Sequence, residues 1–232
     1  MWRGSWSDLR DGEWVHANKL LFEIQPINLK DMELINVSKE VKIKIPQKEV
    51  IDQKCELQLL LNKIFVDKDG YSCIVCEKTF DWMRTPHWEK SPKELTGSFK
   101  KLFNALKSYR NQDEKFAKKD YQLRCDFVSD YHKVIVEYDE RQHFSEARRV
   151  SLESYKDIPV DFDRDLWIRA CTEVQAHDNE PKYRDEGRAY LDSVRDILAQ
   201  KNGYKLYRIM HGQFDLSSSN ALRDLKKYLR IK

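Results

Sequence analysis

The sequence predicts an α/β or α+β domain in which helices are layered on a mixed β-sheet. Three observations predict it. From residue 91 onward, apolar residues follow helical and then strand periods in the order helix, strand, strand, helix, strand, helix. Gly and Pro are scarce, 7 and 6 of 232 residues, which argues against disorder and against a turn-rich all-β sandwich. The composition, 41% hydrophobic and 12% aromatic, supplies enough apolar surface for a real core, and the length suits one large domain or a core with a small appendage.

The 42 basic and 39 acidic residues nearly cancel, leaving +3. Net charge thus neither demands nor excludes a nucleic acid, and segregation of the charges decides. No apolar run approaches a membrane span, and MWRGSWSDLRDGEWVH lacks the apolar stretch of a signal peptide. A cytoplasmic protein with its five cysteines reduced is expected, with no membrane partner.

Taken in order, residues 1–40 show no clear period, with Trp2, Trp6 and Trp14 scattered among charges; these rings could stack on bases, although core packing suits them better. The alternation VKIKI over residues 41–45 predicts a strand ended by Pro46. Residues 47–65 read as a helix with Val50, Cys55, Leu57, Leu60, Leu61 and Ile64 on an apolar stripe. A turn at 67–70 leads into YSCIVCEKTFDWMRTPHW. Ser91 and Glu94 form a capping-box pattern with Pro92 at the first helical position, and Leu95, Phe99, Leu102, Phe103 and Leu106 continue an amphipathic helix over 92–109. Residues 121–128 and 133–138 read as strands joined by SDYHK. Residues 145–182 form a charged insertion with short helices near 145–155 and 164–175. A strong helix over 184–201 buries Tyr190, Leu191, Val194, Ile197 and Leu198 and stops at Gly203. A third strand (204–210) and a helix over 217–230, with Leu222, Leu225 and Leu229 inward, complete the chain. An N-terminal recognition or dimerisation region (1–90) and a core (91–232) are the expected domains.

Strand alternation carries the functional reading. In VIVEYD, Val134, Val136 and Tyr138 share one face, and Ile135, Glu137 and Asp139 the other. In LRCDFV the apolar set is Leu123, Cys125 and Phe127, opposite Arg124, Asp126 and Val128. A symmetric hairpin sets Asp126 across from Glu137, so that Asp126, Glu137 and Asp139 form one acidic patch. Like charges facing each other across strands destabilise a sheet, and a hard divalent cation on carboxylate oxygens offsets this. Mg²⁺ or Mn²⁺ held by Asp126 and Glu137 would orient a phosphodiester and acidify a water, with a second ion near Asp139. The competing reading is an edge hairpin with solvated charges.

The string CDFV, a loop, then VIVEYDERQHF resembles the PD-(D/E)XK nuclease superfamily, nearest its very-short-patch-repair and small restriction-endonuclease-like branch. Downstream, RDEGRAYLDSVRDILAQKNGYKLYRI fits that branch through Asp192, Arg195, Leu198, Gly203, Tyr204 and Arg208. The likeness covers about residues 91–210. It implies a restriction-endonuclease-like core, a four-stranded mixed sheet flanked by helices, and Mg²⁺-dependent cleavage of nucleic acid. It further implies Asp126 as the first aspartate, Glu137 as the second acid, and Glu94 as the extra glutamate of a preceding helix. The family's lysine is replaced by Asp139, leaving Gln142 to position water or phosphate, and Glu140 stands where the nearest branch has glycine.

Other groups complete the reading. His143 could meet a phosphate or protonate a leaving group, or simply end the strand; His132 reads as a turn residue. Lys93, Lys100, Lys101 and Lys107 on one helix, Arg208, and the C-terminal Arg223, Lys226, Lys227 and Arg230 could contact DNA phosphates. Cys73 and Cys76 have the spacing of half a zinc knuckle, but no second pair exists, so metal-free buried thiols fit better. The function expected is a metal-dependent DNA endonuclease of restriction or repair type acting on double-stranded DNA, as a homodimer if its site is palindromic. A non-cleaving DNA-binding or assembly module, or a nuclease for RNA or single strands, are the alternatives.

Overall fold

The structure is a computed structural model, and it describes residues 50–87 and 93–231. The expected strand at 41–45, the three N-terminal tryptophans and the Ser91–Pro92 cap lie outside the described residues. The elements are α1 (Val50–Ile64), β1 (Val75–Arg84), α2 (Lys93–Tyr109), β2 (Gln122–Ser129), β3 (Val134–Asp139), α3 (Glu146–Ser154), α4 (Arg164–Val174), α5 (Arg184–Lys201), β4 (Lys205–Met210) and α6 (Ala221–Tyr228). The predicted α/β class holds, with a four-stranded mixed sheet flanked by helices.

The sheet order is β1-β2-β3-β4, with the first two pairings antiparallel and β3–β4 parallel. A parallel pair needs a long crossover, here the stretch through α3, α4 and α5. Helices cover both faces, as two apolar sheet faces require. On one face Leu57, Leu61 and Ile64 of α1 and Leu225 of α6 pack on Phe127, Val134, Val136 and Tyr138. On the other, residues of α2 to α5, among them Leu102, Leu152, Trp167 and Val194, pack on Leu123, Cys125, Val128 and Ile135. Each fully buried Leu or Ile of this kind contributes about 1.5–3 kcal/mol.

Two local features differ from the expected pattern. First, YSCIVCEKTFDWMR contains a strand, β1, which pairs with β2; the sheet therefore draws on residues from both sides of position 90. Its half-exposed, charge-rich alternation hides it from a search for apolar strands. Secondly, Leu123, Cys125 and Phe127 do not share a face: the first two join the α2–α5 side and Phe127 the α1–α6 side. β1 switches in the same way, with Cys76 on the α1–α6 side and Phe80 and Trp82 on the other. The switch falls at Glu77, whose φ of +53° is uncommon for a residue with a Cβ. Cys76 pairs with Phe127 and Lys78 with Cys125, so Glu77 and Asp126 come between these pairs. The register of the pair stays unbroken across this point and shifts only later, between Thr79 and Arg84.

Cys55, expected on the apolar stripe of α1, is exposed. Gly203 takes the left-handed conformation expected of it, at φ +74°, just past the end of α5.

Candidate active site

Asp126 and Glu137 meet where the β2–β3 ladder opens. The last regular pair on this side is Phe127 with Val136, and beyond it side chains take over the backbone's hydrogen bonds. Asp126 N–H donates to Glu137 Oε1 at 3.3 Å, and Tyr138 N–H donates to Asp126 Oδ2 at 2.9 Å. The expected juxtaposition of the two acids is therefore present. Glu137 is 5% exposed. Burial pushes its carboxyl up to about 8; the guanidinium of Arg195 opposes that rise and the nearby Asp126 carboxylate adds to it. Arg195 Nε lies 3.6 Å from Glu137 Oε2.

The group that sequence reading missed is Lys54. Its ammonium donates to Asp126 Oδ1 at 2.6 Å and lies 3.6 Å from Glu77. Burial alone would lower its pKa, but the attraction of Asp126 outweighs this and raises it. Lys54 precedes Leu57 by three residues and Leu61 by seven, so it stands on the sheet-facing side of α1. A lysine in line with an apolar stripe was the available signal. Next to it, Gln53 Oε1 accepts from the Tyr138 hydroxyl at 3.0 Å and from Gly212 N–H at 3.2 Å, fastening α1 to the ends of β3 and β4.

Asp139 is not part of this pair, which corrects the expected three-carboxylate patch. Alternation does set it on the face of Glu137, but there it is 1% exposed and fully engaged. Its Oδ1 accepts from Arg208 Nη1 at 2.7 Å and its Oδ2 from Trp167 Nε1 at 2.7 Å. Arg208, a candidate DNA contact from the sequence, has a wholly buried side chain that also reaches Asp196 at 2.8 Å and the Asp192 carbonyl at 3.1 Å, which corrects that expectation. A buried guanidinium ringed by acids organises the core and cannot touch a duplex. Arg148 extends the network, donating to Asp196 and Ser193, each at 2.8 Å. Buried to 1% exposure and neutralised by the Arg208 guanidinium, Asp139 offers a second ion neither an open approach nor an unbalanced charge.

The remaining candidates scatter. His143 Nδ1 is 2.9 Å from Asp192 Oδ2 and 3.6 Å from Asp139; burial opposes its protonation, yet Asp192 outweighs that and raises its pKa. Gln142 bonds the Glu140 carboxylate through its amide and accepts from Arg188 on its carbonyl, so it does not stand in for the missing lysine. Glu94 is exposed and pairs with Lys201, six residues and about 9 Å of helix beyond Arg195; this separates it from the carboxylate pair. Lys101 pairs with Asp157 and Lys107 with Glu114, while Lys100 is exposed on the same helix. His132 Nδ1 contacts the Ser129 hydroxyl at 2.9 Å in the hairpin turn, in keeping with a turn role. Cys73 and Cys76 are free thiols, with Cys76 packed against the α1–α6 core.

Among the described residues no group of three or more His, Cys, Asp or Glu side chains is arranged to hold a metal. Asp126 and Glu137 are the two neighbouring acids among the described residues that could hold a metal, and Glu137 would have to give up its raised proton to do so. No described helix is long and apolar enough to cross a membrane. No family model, no curated protein and no solved structure matches the chain.

Proposed function

We propose that the chain is a metal-dependent DNA endonuclease of restriction or repair type, with Asp126, Glu137 and Lys54 as its reacting set. The observation that carries this reading is the meeting of the three at one bend in the sheet, two acids from β2 and β3 and an ammonium from α1. It restores the combination of two acids and a lysine that the resemblance to PD-(D/E)XK nucleases implies, with the lysine supplied from another element. The mixed four-stranded sheet flanked by helices supports a restriction-endonuclease-like core, and the order of Asp126, Glu137, Asp192, Arg195 and Arg208 supports the very-short-patch-repair branch.

Asp126 and Glu137 would hold Mg²⁺, which when bound neutralises phosphate charge and acidifies a water. Lys54 would neutralise the phosphate or orient the attacking water once released from Asp126, and Arg195 would hold Glu137 in place. Tyr138 N–H fixes the Asp126 carboxylate, and the Gln53 clamp fixes the height of Lys54. Nicking of supercoiled plasmid in Mg²⁺, its absence in EDTA, and its loss in a folded Asp126→Asn variant are expected. Cleavage of single-stranded circles or RNA in preference to the plasmid would redirect the reading to those substrates.

A second reading rests on the same ion pair. Lys54 already occupies the Asp126 oxygen that a cation would need, as it would in a non-cleaving DNA-binding or assembly module. Binding of duplex with no nicking at any Mg²⁺ or Mn²⁺ concentration would favour it.

A further inference from the structure

A cleft of about 380 Å³ runs beside the N-terminal half of α5. Its cations are Lys115, Lys118, Lys182, Arg184, Arg188 and Arg195, and its one carboxylate is Asp192. That carboxylate is already engaged by His143 and Arg195. Arg184 and Arg188 share Asp178, whereas Lys115, Lys118 and Lys182 form no ion pair among the described residues. The arginines are largely balanced, Arg188 also by Asp185, and Asp113 is the acid that Lys115 and Lys182 act on. The three lysines are what leaves the cleft net positive, and a net positive cleft concentrates anions. Phe116, Tyr183 and Leu191 add apolar wall, a surface on which a sugar or base can rest. The volume falls within the range of small-molecule sites.

We propose that this cleft is a nucleotide phosphate site, seating one nucleotide of the strand being cut beside the scissile phosphate. This placement rests on the nuclease reading; the phosphate site itself does not. The link between the two is Arg195, which lines the cleft and whose Nε is 3.6 Å from Glu137. A phosphate in the cleft would be met first by the exposed ammonium groups of Lys115, Lys118 and Lys182, the last two now resting over the rings of Tyr121 and Tyr183, because the arginines are engaged by carboxylates and carbonyls.

The test is calorimetric titration of the full chain in EDTA with dAMP, deoxyadenosine and inorganic phosphate, followed by plasmid nicking in the presence of dAMP. Wild type should bind dAMP, should bind inorganic phosphate more weakly and in competition with it, and should ignore deoxyadenosine. Lys115→Ala, Lys118→Ala and Lys182→Ala fall on exposed residues, so the fold is retained; each should weaken dAMP binding about threefold and the triple variant about thirtyfold. Deoxyadenosine binding as well as dAMP, or undiminished dAMP binding in the triple variant, overturns the phosphate site. dAMP should slow nicking by wild type, and bound dAMP that leaves nicking untouched overturns its placement beside the scissile phosphate. Asp126→Asn should keep dAMP binding while losing nicking. Lysine-dependent dAMP binding in a chain that never nicks would sink the nuclease reading and leave the phosphate site standing.

Discussion

Replacing Asp139 should damage the fold before it touches metal dependence. Each oxygen of this carboxylate accepts one short hydrogen bond, from Arg208 and from Trp167, both at 2.7 Å. In Asp139→Ala the indole N–H loses its acceptor in the core, and Arg208 loses one of the acids that balance its charge. Breaking a buried ion pair by removing one partner costs about 3–5 kcal/mol. Asp196 still faces Arg208 at 2.8 Å, which limits the loss to the lower part of that range, about 3–4 kcal/mol. For a unit of this size each kcal/mol moves Tm by about 2–4 °C, so a drop of about 6–16 °C is expected. Asp139→Asn keeps an amide oxygen for one of the two donors and should lose about 1–2 kcal/mol. Urea unfolding followed by circular dichroism gives the stabilities, and a Mg²⁺ titration of nicking by the asparagine variant gives the metal dependence. A stability within about 0.5 kcal/mol of wild type for Asp139→Ala, or a shifted Mg²⁺ midpoint for a fully stable Asp139→Asn, would refute the assignment of Asp139 to the core.

Further outcomes follow from the same geometry. Asp126→Asn and Glu137→Gln should abolish nicking while circular dichroism spectra stay those of wild type. Glu137, whose carboxyl is held up at about 8, keeps its proton in the folded chain while the unfolded chain gives it up near pH 4.3. Its contribution therefore turns destabilising as pH rises from about 4.5 to 8; in EDTA, Glu137→Gln should remove that part of the pH slope, and an unchanged slope would count against the buried acid. His143, raised by Asp192, has the opposite placement: its stabilisation is complete below about pH 6.5 and fades as pH climbs through the raised value. His143→Gln should flatten the stability profile there. Lys54→Met should tighten Mg²⁺ binding by freeing Asp126, yet lower the nicking rate at saturating metal; a faster enzyme would show that the lysine only competes with the ion.

The sequence discloses the order of elements well, because long amphipathic stretches such as α2 and α5 obey their periods closely. The inner face of β3 was legible for the same reason. Alternation could not tell that Asp139 meets an arginine and a tryptophan, since Trp167 comes from the charged insertion and Arg208 from a strand 69 residues away. The pattern of β2 breaks at one place, Asp126, where the strand switches faces between Cys125 and Phe127 opposite the left-handed Glu77 of β1. Lys54 lies 72 residues before Asp126, and no local pattern spans that distance.

Glu137 and Asp139 stand two residues apart on one face of one strand, and a mutational survey would score both positions as intolerant. The intolerance has opposite origins. Glu137 is held at a cost to the native state, so its replacement should leave abundant, long-lived and inert protein. Asp139 anchors a buried cation, so its replacement should deplete the protein itself. A screen that records cellular abundance beside activity would separate the two neighbours, and would sort the rest of the acidic residues by the same criterion.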